Sequence, residues 1–258
     1  MALDLERAEA HVSLKERRLR ALSAARRISQ RFRAQAIVRP STMEVTGIEI
    51  LSRNRLLFCS YPTMLREDIA ALKAAARMAR TGFYREVHCN VEILSLLSPD
   101  WLEVMGQTMT RGIVIEVVER NDMLMHGMWL ERVIHVLSLI RIFGGKIAMD
   151  DVAYTDQSIH LIEMMRPEIV KVEDARHAPA LRQHGDMEII VERIETAQLA
   201  QEAVNLGVDY LQGYWCDVQV EKCVPSSLTP PGIEARTKGD WNKPKQPWAE
   251  VKELLAVG

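Results

Sequence analysis

With 258 residues, 48% of them hydrophobic and 26% charged, the chain can fill the core of one sizeable domain. A net charge of -2 with that apolar content excludes disorder as the main state, and it argues against wholesale nucleic-acid binding, which shows as a basic excess. The four cysteines (Cys59, Cys89, Cys216, Cys223) form no CxxC pair. A zinc ribbon or thioredoxin-type motif is therefore unsupported, and buried, reduced thiols are expected.

The opening MALDLERAEA carries acids where a signal peptide needs a basic and then an apolar region. No stretch approaches the ~18 uninterrupted apolar residues of a membrane span. The most apolar stretch, around Met128–Phe143, is broken by Glu131, Arg132, His135 and Arg141. The chain reads as cytoplasmic, with no membrane association.

Residues 1–33 read as a helical extension, with Leu14, Leu19, Leu22 and Ile28 at helix-like spacing among many arginines. QAIV and EVTGIEIL follow as a hairpin separated by RPSTM. A helix is expected near Pro62–Arg80, a strand at Glu86–Glu92 and a helix near Asp100–Met109. Then come a strand at Ile113–Val118, a helix at Met125–Phe143 and a strand at Lys146–Met149. A helix near Gln157–Met165 precedes the strand IVKV, and a short one near Pro179–His184 precedes MEIIV. Thr196–Leu206 is the last helix before VDYLQ.

Short apolar strands alternating with helices mean βα units around a mainly parallel sheet, and the strand count suits a closed barrel. The fold class expected is α/β, a TIM-like (β/α)8 barrel with a modified first strand, an extra N-terminal helix and a C-terminal tail. The barrel domain is placed at 34–222. Residues 223–258 are turn-rich, with a short helix near Trp248–Ala256, and are expected to pack on the domain.

What ends the strands is informative. Glu49 sits inside an apolar strand and Asn90 closes VHCN. Glu119 follows VIEVV, Asp150 and Asp151 follow KIAM, Lys171 interrupts IVKV, Glu192 follows EIIV and Gln212 follows DYLQ. All strand carboxyl ends of a barrel meet at one face, so these side chains are expected to converge there. A carboxylate cluster needs cations to offset repulsion and desolvation. An oxygen-only set without His or Cys favours Mg²⁺, Mn²⁺ or Ca²⁺ over zinc. The seven histidines show no HxH or HExxH pattern, and His88, beside the asparagine strand, has no assigned role.

At these residues the chain resembles the EAL family of bacterial cyclic-di-GMP phosphodiesterase domains, over roughly residues 14 to 216. GIEILSR is similar to the name-giving motif, with Glu49, Leu51 and Arg53 kept and Ile50 in place of alanine. QAIV resembles Gln-Pro-Ile-Val, HCNVEILSLL the asparagine strand and IEVVE the Glu-Ile-Thr-Glu strand. KIAMDDV resembles the Asp-Asp-Phe-Gly strand, VKVE the Leu-Lys-Ile-Asp strand and VERIE the Glu-Gly-Val-Glu motif. VDYLQGYW resembles the Gln-Gly-Tyr strand.

The resemblance implies two Mg²⁺ or Mn²⁺ ions and hydrolysis of cyclic-di-GMP to linear pGpG in bacterial signalling. Glu49, Asn90, Glu119 and Asp150 would hold one ion, and Asp150, Asp151 and Glu192 the other. Lys171, with Asp151 and Glu192, would be catalytic, Lys171 positioning the water. Arg53 would contact a substrate phosphate, with Leu51 and Gln212 ordering the substrate site. A homodimer is the assembly it implies.

Departures accompany the match. The loop AYTDQS (Ala153–Ser158) stands where the family has Gly-Thr-Gly-Tyr-Ser-Ser, and Arg193 replaces a glycine after Glu192. The segments after Arg53 and after Lys171 are short. The alternative reading is a catalytically inactive EAL-like regulator that binds a protein partner or cyclic-di-GMP without cleaving it.

Overall fold

A computed structural model of the chain describes residues 13–53, 60–118 and 127–223. Eight strands close into a barrel in sequence order: β1 Phe32–Val38, β2 Val45–Ser52, β3 Glu86–Val91, β4 Ile113–Val118, β5 Lys146–Asp150, β6 Ile169–Val172, β7 Glu188–Val191 and β8 Tyr210–Gln212. β1 runs antiparallel to both its neighbours, β2 and β8, and the remaining pairs are parallel. The expected barrel with a modified first strand is thus the fold observed.

The helices are α1 Leu14–Ile28, α2 Tyr61–Ala79, α3 Ile93–Leu96, α4 Pro99–Thr108, α5 Gly127–Ile142, α6 Asp156–Met165, α7 Ala178–Leu181, α8 Ala197–Asn205 and α9 Tyr214–Cys223. The expected helices between strands recur within one or two residues at most of their ends. Two boundaries differ. The first strand begins at Phe32, inside the segment read as helical, because Phe32 and Ala34 bury their side chains under the helices. α9 was not anticipated; its Asp217 is buried and accepts from Ala36 N at 3.2 Å and Gln35 Nε2 at 3.3 Å. The helix expected near Trp248–Ala256, Glu119 and Cys59 lie outside the described residues. Cys89 and Cys216 are buried free thiols, as expected.

Alternation along each strand divides the interior into two cores. Ile48, Ile50, Val87, Cys89, Ile115, Val117, Ile147, Met149, Val170 and Val172 face outward and pack under the helices. A much smaller apolar layer, Ile37, Val114, Ala148, Ile169, Ile190 and Tyr210, fills the barrel itself. Inward positions nearer the strand carboxyl ends are consequently left to polar side chains.

Local chemistry sets the element ends. Ser13 and Glu16 form a capping box at the start of α1, each satisfying a backbone N–H of the other. The small buried face of α1 (Ala21, Ala24, Ala25) lies against the barrel's helical layer, and Arg31 donates from Nε to both Glu67 oxygens of α2 at 3.1 and 3.0 Å. After β8, Gly213 adopts φ +156°, and a Cβ there would lie 2.3 Å from Ile194 N, so only glycine lets β8 turn into α9.

Asp68 on α2 is buried and accepts from Glu92 N at 3.3 Å, holding the turn that follows β3. Burial pushes its carboxyl up to about 7. The folded state therefore holds the Asp68 proton over the window from about 4 to 7 in which the unfolded chain has lost it, and stability falls as pH rises through that window. Asp68→Asn is expected to stabilise the protein at pH 8, by at most about 4 kcal/mol, with a smaller gain at pH 5. Urea unfolding of both proteins at the two pH values checks this; an equal difference at both would refute it.

Candidate active site at the carboxyl mouth of the barrel

All eight strands, or the residue just after one, deliver a polar side chain to the upper barrel interior. Gln35 comes from β1, Glu49 from β2, Asn90 from β3, Glu116 from β4, Asp150 from β5, Lys171 from β6 and Glu192 from the residue after β7, with Gln212 closing the ring from β8. The parallel register sets Asn90 opposite Glu116 and Glu49 opposite His88, so neighbouring inward residues step around the barrel at similar depth.

Lys171 is the centre. Its side chain is fully buried, and Nζ lies 2.8 Å from Glu192 Oε1, 2.9 Å from Glu116 Oε2, 3.2 Å from Glu49 Oε2 and 3.3 Å from Asp150 Oδ1. An ammonium has three N–H donors, so one of these four contacts is purely coulombic. Burial alone would discharge the amine, but Asp150, Glu116, Glu192 and Glu49 together carry its pKa well above the ordinary lysine value. It is a fixed cation.

The carboxylates divide around it. Burial favours the neutral acid at Glu49, yet the Lys171 charge and hydrogen bonds from Gln212, Asn90 and Lys171 outweigh it, so Glu49 stays ionised with its pKa lowered. Asn90 Nδ2 donates to Glu49 Oε1 at 2.6 Å and Gln212 Nε2 to Oε2 at 2.5 Å. Glu116 and Glu192 are raised instead: burial dominates at both, and the Glu49 charge adds to it. One ammonium cannot neutralise this many acids, so Lys171 does not outweigh burial at Glu116 and Glu192 as it does, with the hydrogen bonds, at Glu49.

Asp150, Asp151 and Glu192 each offer an oxygen, all within 4.8 Å of one another, and all three are half-buried at the mouth. Asp151 is held at φ +57°, the left-handed region that non-glycine residues rarely occupy. The next residue, Val152, donates its N–H to Lys171 O at 2.9 Å and anchors that strained turn. Gln212 Oε1 is buried without a hydrogen-bond donor. An oxygen-only donor set, with unbalanced negative charge beneath it, fits a hard divalent cation.

The expected site residues thus mostly converge. Glu49, Asn90, Asp150, Lys171, Glu192 and Gln212 share the barrel interior, and Asp151 lies at its rim. Leu51, half-buried, follows Glu49 on the same strand face. Arg53 Nε donates to Ser29 O at 2.9 Å, at the end of α1, and to Phe32 O at 3.3 Å, at the start of β1. Glu119 cannot be placed, whereas Glu116, three residues earlier on β4, is fully buried beside Lys171. Sequence reasoning passed over Glu116, although its place inside the strand, flanked by outward Ile115 and Val117, was the signal available. It assigns no role to Gln35, Asp217 or His88.

The remodelled loop has a defined form. Thr155 caps α6, accepting from Ser158 N at 3.2 Å, so the chain passes from β5 into the helix with only Ala153 and Tyr154 between Val152 and the cap. Arg193 points away from the acids and pairs with Glu173 at 2.8 Å, both partly exposed.

Replacing Lys171 by methionine strands several acids around an apolar tip. Removing one partner of a buried ion pair costs about 3–5 kcal/mol. Lys171→Met is expected to lower the urea midpoint accordingly in EDTA, and millimolar Mn²⁺ to restore part of the loss. An unchanged midpoint in EDTA would show that Lys171 does not hold the acids together.

No protein-family model and no curated protein matches the chain. Solved structures do match. Klebsiella pneumoniae BlrP1 in a calcium/cyclic-di-GMP complex aligns at 20% identity and TM-score 0.59, covering 71% of this chain and 54% of that one. The same protein in a manganese/cyclic-di-GMP complex aligns at 21% and 0.57, again covering 71% and 54%. The phosphodiesterase PaMucR in complex with cyclic-di-GMP aligns at 17% and 0.60, covering 71% and 93%. The EAL domain of Mycobacterium smegmatis DcpA aligns at 17% and 0.59, covering 72% and 90%. The chain spans about half of BlrP1 and nearly all of the other two. Its fold is that of the EAL-domain barrels.

Proposed function

We propose that this chain is a divergent EAL-domain protein that hydrolyses cyclic-di-GMP to linear pGpG, acting in the bacterial cytoplasm. The observation that carries this reading is the convergence of Glu49, Asn90, Glu116, Asp150, Asp151 and Glu192 around the buried Lys171 at the carboxyl mouth of the barrel. Among the described residues no helix is long and apolar enough to cross a membrane.

Asp150, Asp151 and Glu192 would hold one divalent ion, and Glu49, Asn90 and Glu116, sharing Asp150, a second. Glu116 takes the position that the sequence resemblance gave to Glu119. Mg²⁺ or Mn²⁺ bound there would polarise the phosphodiester and lower the pKa of the attacking water. The protein's own groups do the rest. Glu49 is kept ionised by its three donors and needs no proton removed before it can act as a ligand. Burial raises the pKa of Glu192 and Glu116, and a cation bound there would favour their ionised forms, so binding strengthens as pH rises.

When its carboxylates turn toward a cation, Lys171 regains free N–H donors. A fixed positive charge at that depth can orient a water or offset charge developing on a phosphoryl oxygen. Gln212 joins the site to β1 through Gln35 Oε1 at 3.2 Å, which fixes its amide on Glu49. Leu51 is assigned to the substrate surface. Arg53 is assigned to a substrate phosphate, and reaching it requires release from the carbonyls of Ser29 and Phe32.

The test is a time course of the protein with cyclic-di-GMP and Mn²⁺ or Mg²⁺, resolving pGpG by chromatography. A metal-dependent product that falls by about 100-fold or more in Glu49→Ala and Asp150→Asn is expected, as for loss of a metal ligand or its support. No product with nucleotide binding retained would make the chain a receptor. Neither product nor binding would make it a protein-binding regulator.

A further inference from the structure

The inner apolar layer of the barrel contains a break. His88, fully buried, points into the barrel and pairs in register with Val114 of that layer, whose other members include Ile37, Ala148, Ile169 and Ile190. A polar ring in an apolar layer costs free energy unless its hydrogen bonds compensate. His88 Nδ1 lies 2.7 Å from Glu116 Oε1, while Nε2 has no hydrogen-bond partner and is 3.9 Å from Glu86 Oε2. One short contact, to the deepest acid of the site, is what the ring obtains for its burial.

That contact sets an angle. A glutamate carboxyl rotates broadly about its last bond unless both oxygens are held. With Oε1 held by His88 from below, Oε2 faces Lys171 at 2.9 Å and lies on the side of Glu49 and Asp150. β3 supplies the constraint as well as the site residue Asn90: side chains two apart share a face, so the strand that carries Asn90 necessarily aims residue 88 at the layer beneath.

We propose that His88 is a positioning residue that fixes the Glu116 carboxyl for divalent-cation binding. This inference rests on the metal-dependent reading above. Leucine at 88 matches the surrounding apolar layer in chemistry and approximate size, so it separates a positioning role from a packing role. Asparagine places an amide N–H close to the position of Nδ1, whereas glutamine carries its amide one bond farther.

The experiment is calorimetric titration of Mn²⁺ into the full chain without nucleotide, with thermal unfolding in EDTA alongside. In His88→Leu, Mn²⁺ affinity is expected to fall about 10- to 100-fold, with unfolding in EDTA unchanged or shifted upward. His88→Asn is expected to recover most of the affinity and His88→Gln little of it. Wild-type affinity in His88→Leu would overturn the positioning role and leave the metal reading standing. No Mn²⁺ binding by the wild type would overturn both. Should His88→Leu fail to fold, equal affinities of His88→Asn and His88→Gln would overturn the proposal.

Discussion

A single ammonium, buried among more acids than it can neutralise, governs this molecule. Lys171 touches Glu49, Glu116, Asp150 and Glu192, which come from four different strands. Desolvating a lysine is costly, and the cost is met only if the acids are all present and close. Barrel closure and the ion cluster therefore depend on each other. The strands bring the charges together, and the charges penalise any register that would separate them.

The same cluster divides its acids. Glu49 is saturated with donors and remains charged, whereas burial and the neighbouring carboxylates raise Glu116 and Glu192. A hard cation would supply the positive charge that those two acids lack. The balance of charge is held in the barrel interior. In the segment after β5, α6 is capped by Thr155, and the strained turn at Asp151 is held by the Val152 to Lys171 backbone bond.

Much of this was legible from the chain alone, because strand alternation is written in residue order. Ile48-Glu49-Ile50 and Val170-Lys171-Val172 each show a polar residue between two outward apolar ones, and both polar side chains are buried inside the barrel. In the motif IEVVE the weight falls on Glu119, which lies outside the described residues, because a strand-end acid is conspicuous; Glu116, within the apolar run, is the acid seen beside Lys171. Arg53, whose motif position suggests a substrate contact, donates from Nε to the Ser29 and Phe32 carbonyls, a contact for which residue order carries no signal.

The sequence by itself determined the order of elements, the barrel class and most of the acids at the carboxyl mouth, since each follows from local periodicity and from strand ends meeting on one face. Only the tertiary structure decided that Glu116 of β4 enters the interior beside Lys171, that Asp217 of an unanticipated helix props Gln35, and that His88 touches Glu116. Those facts depend on inter-strand register and on contacts between residues 28 to 182 positions apart, and residue order carries no signal for either.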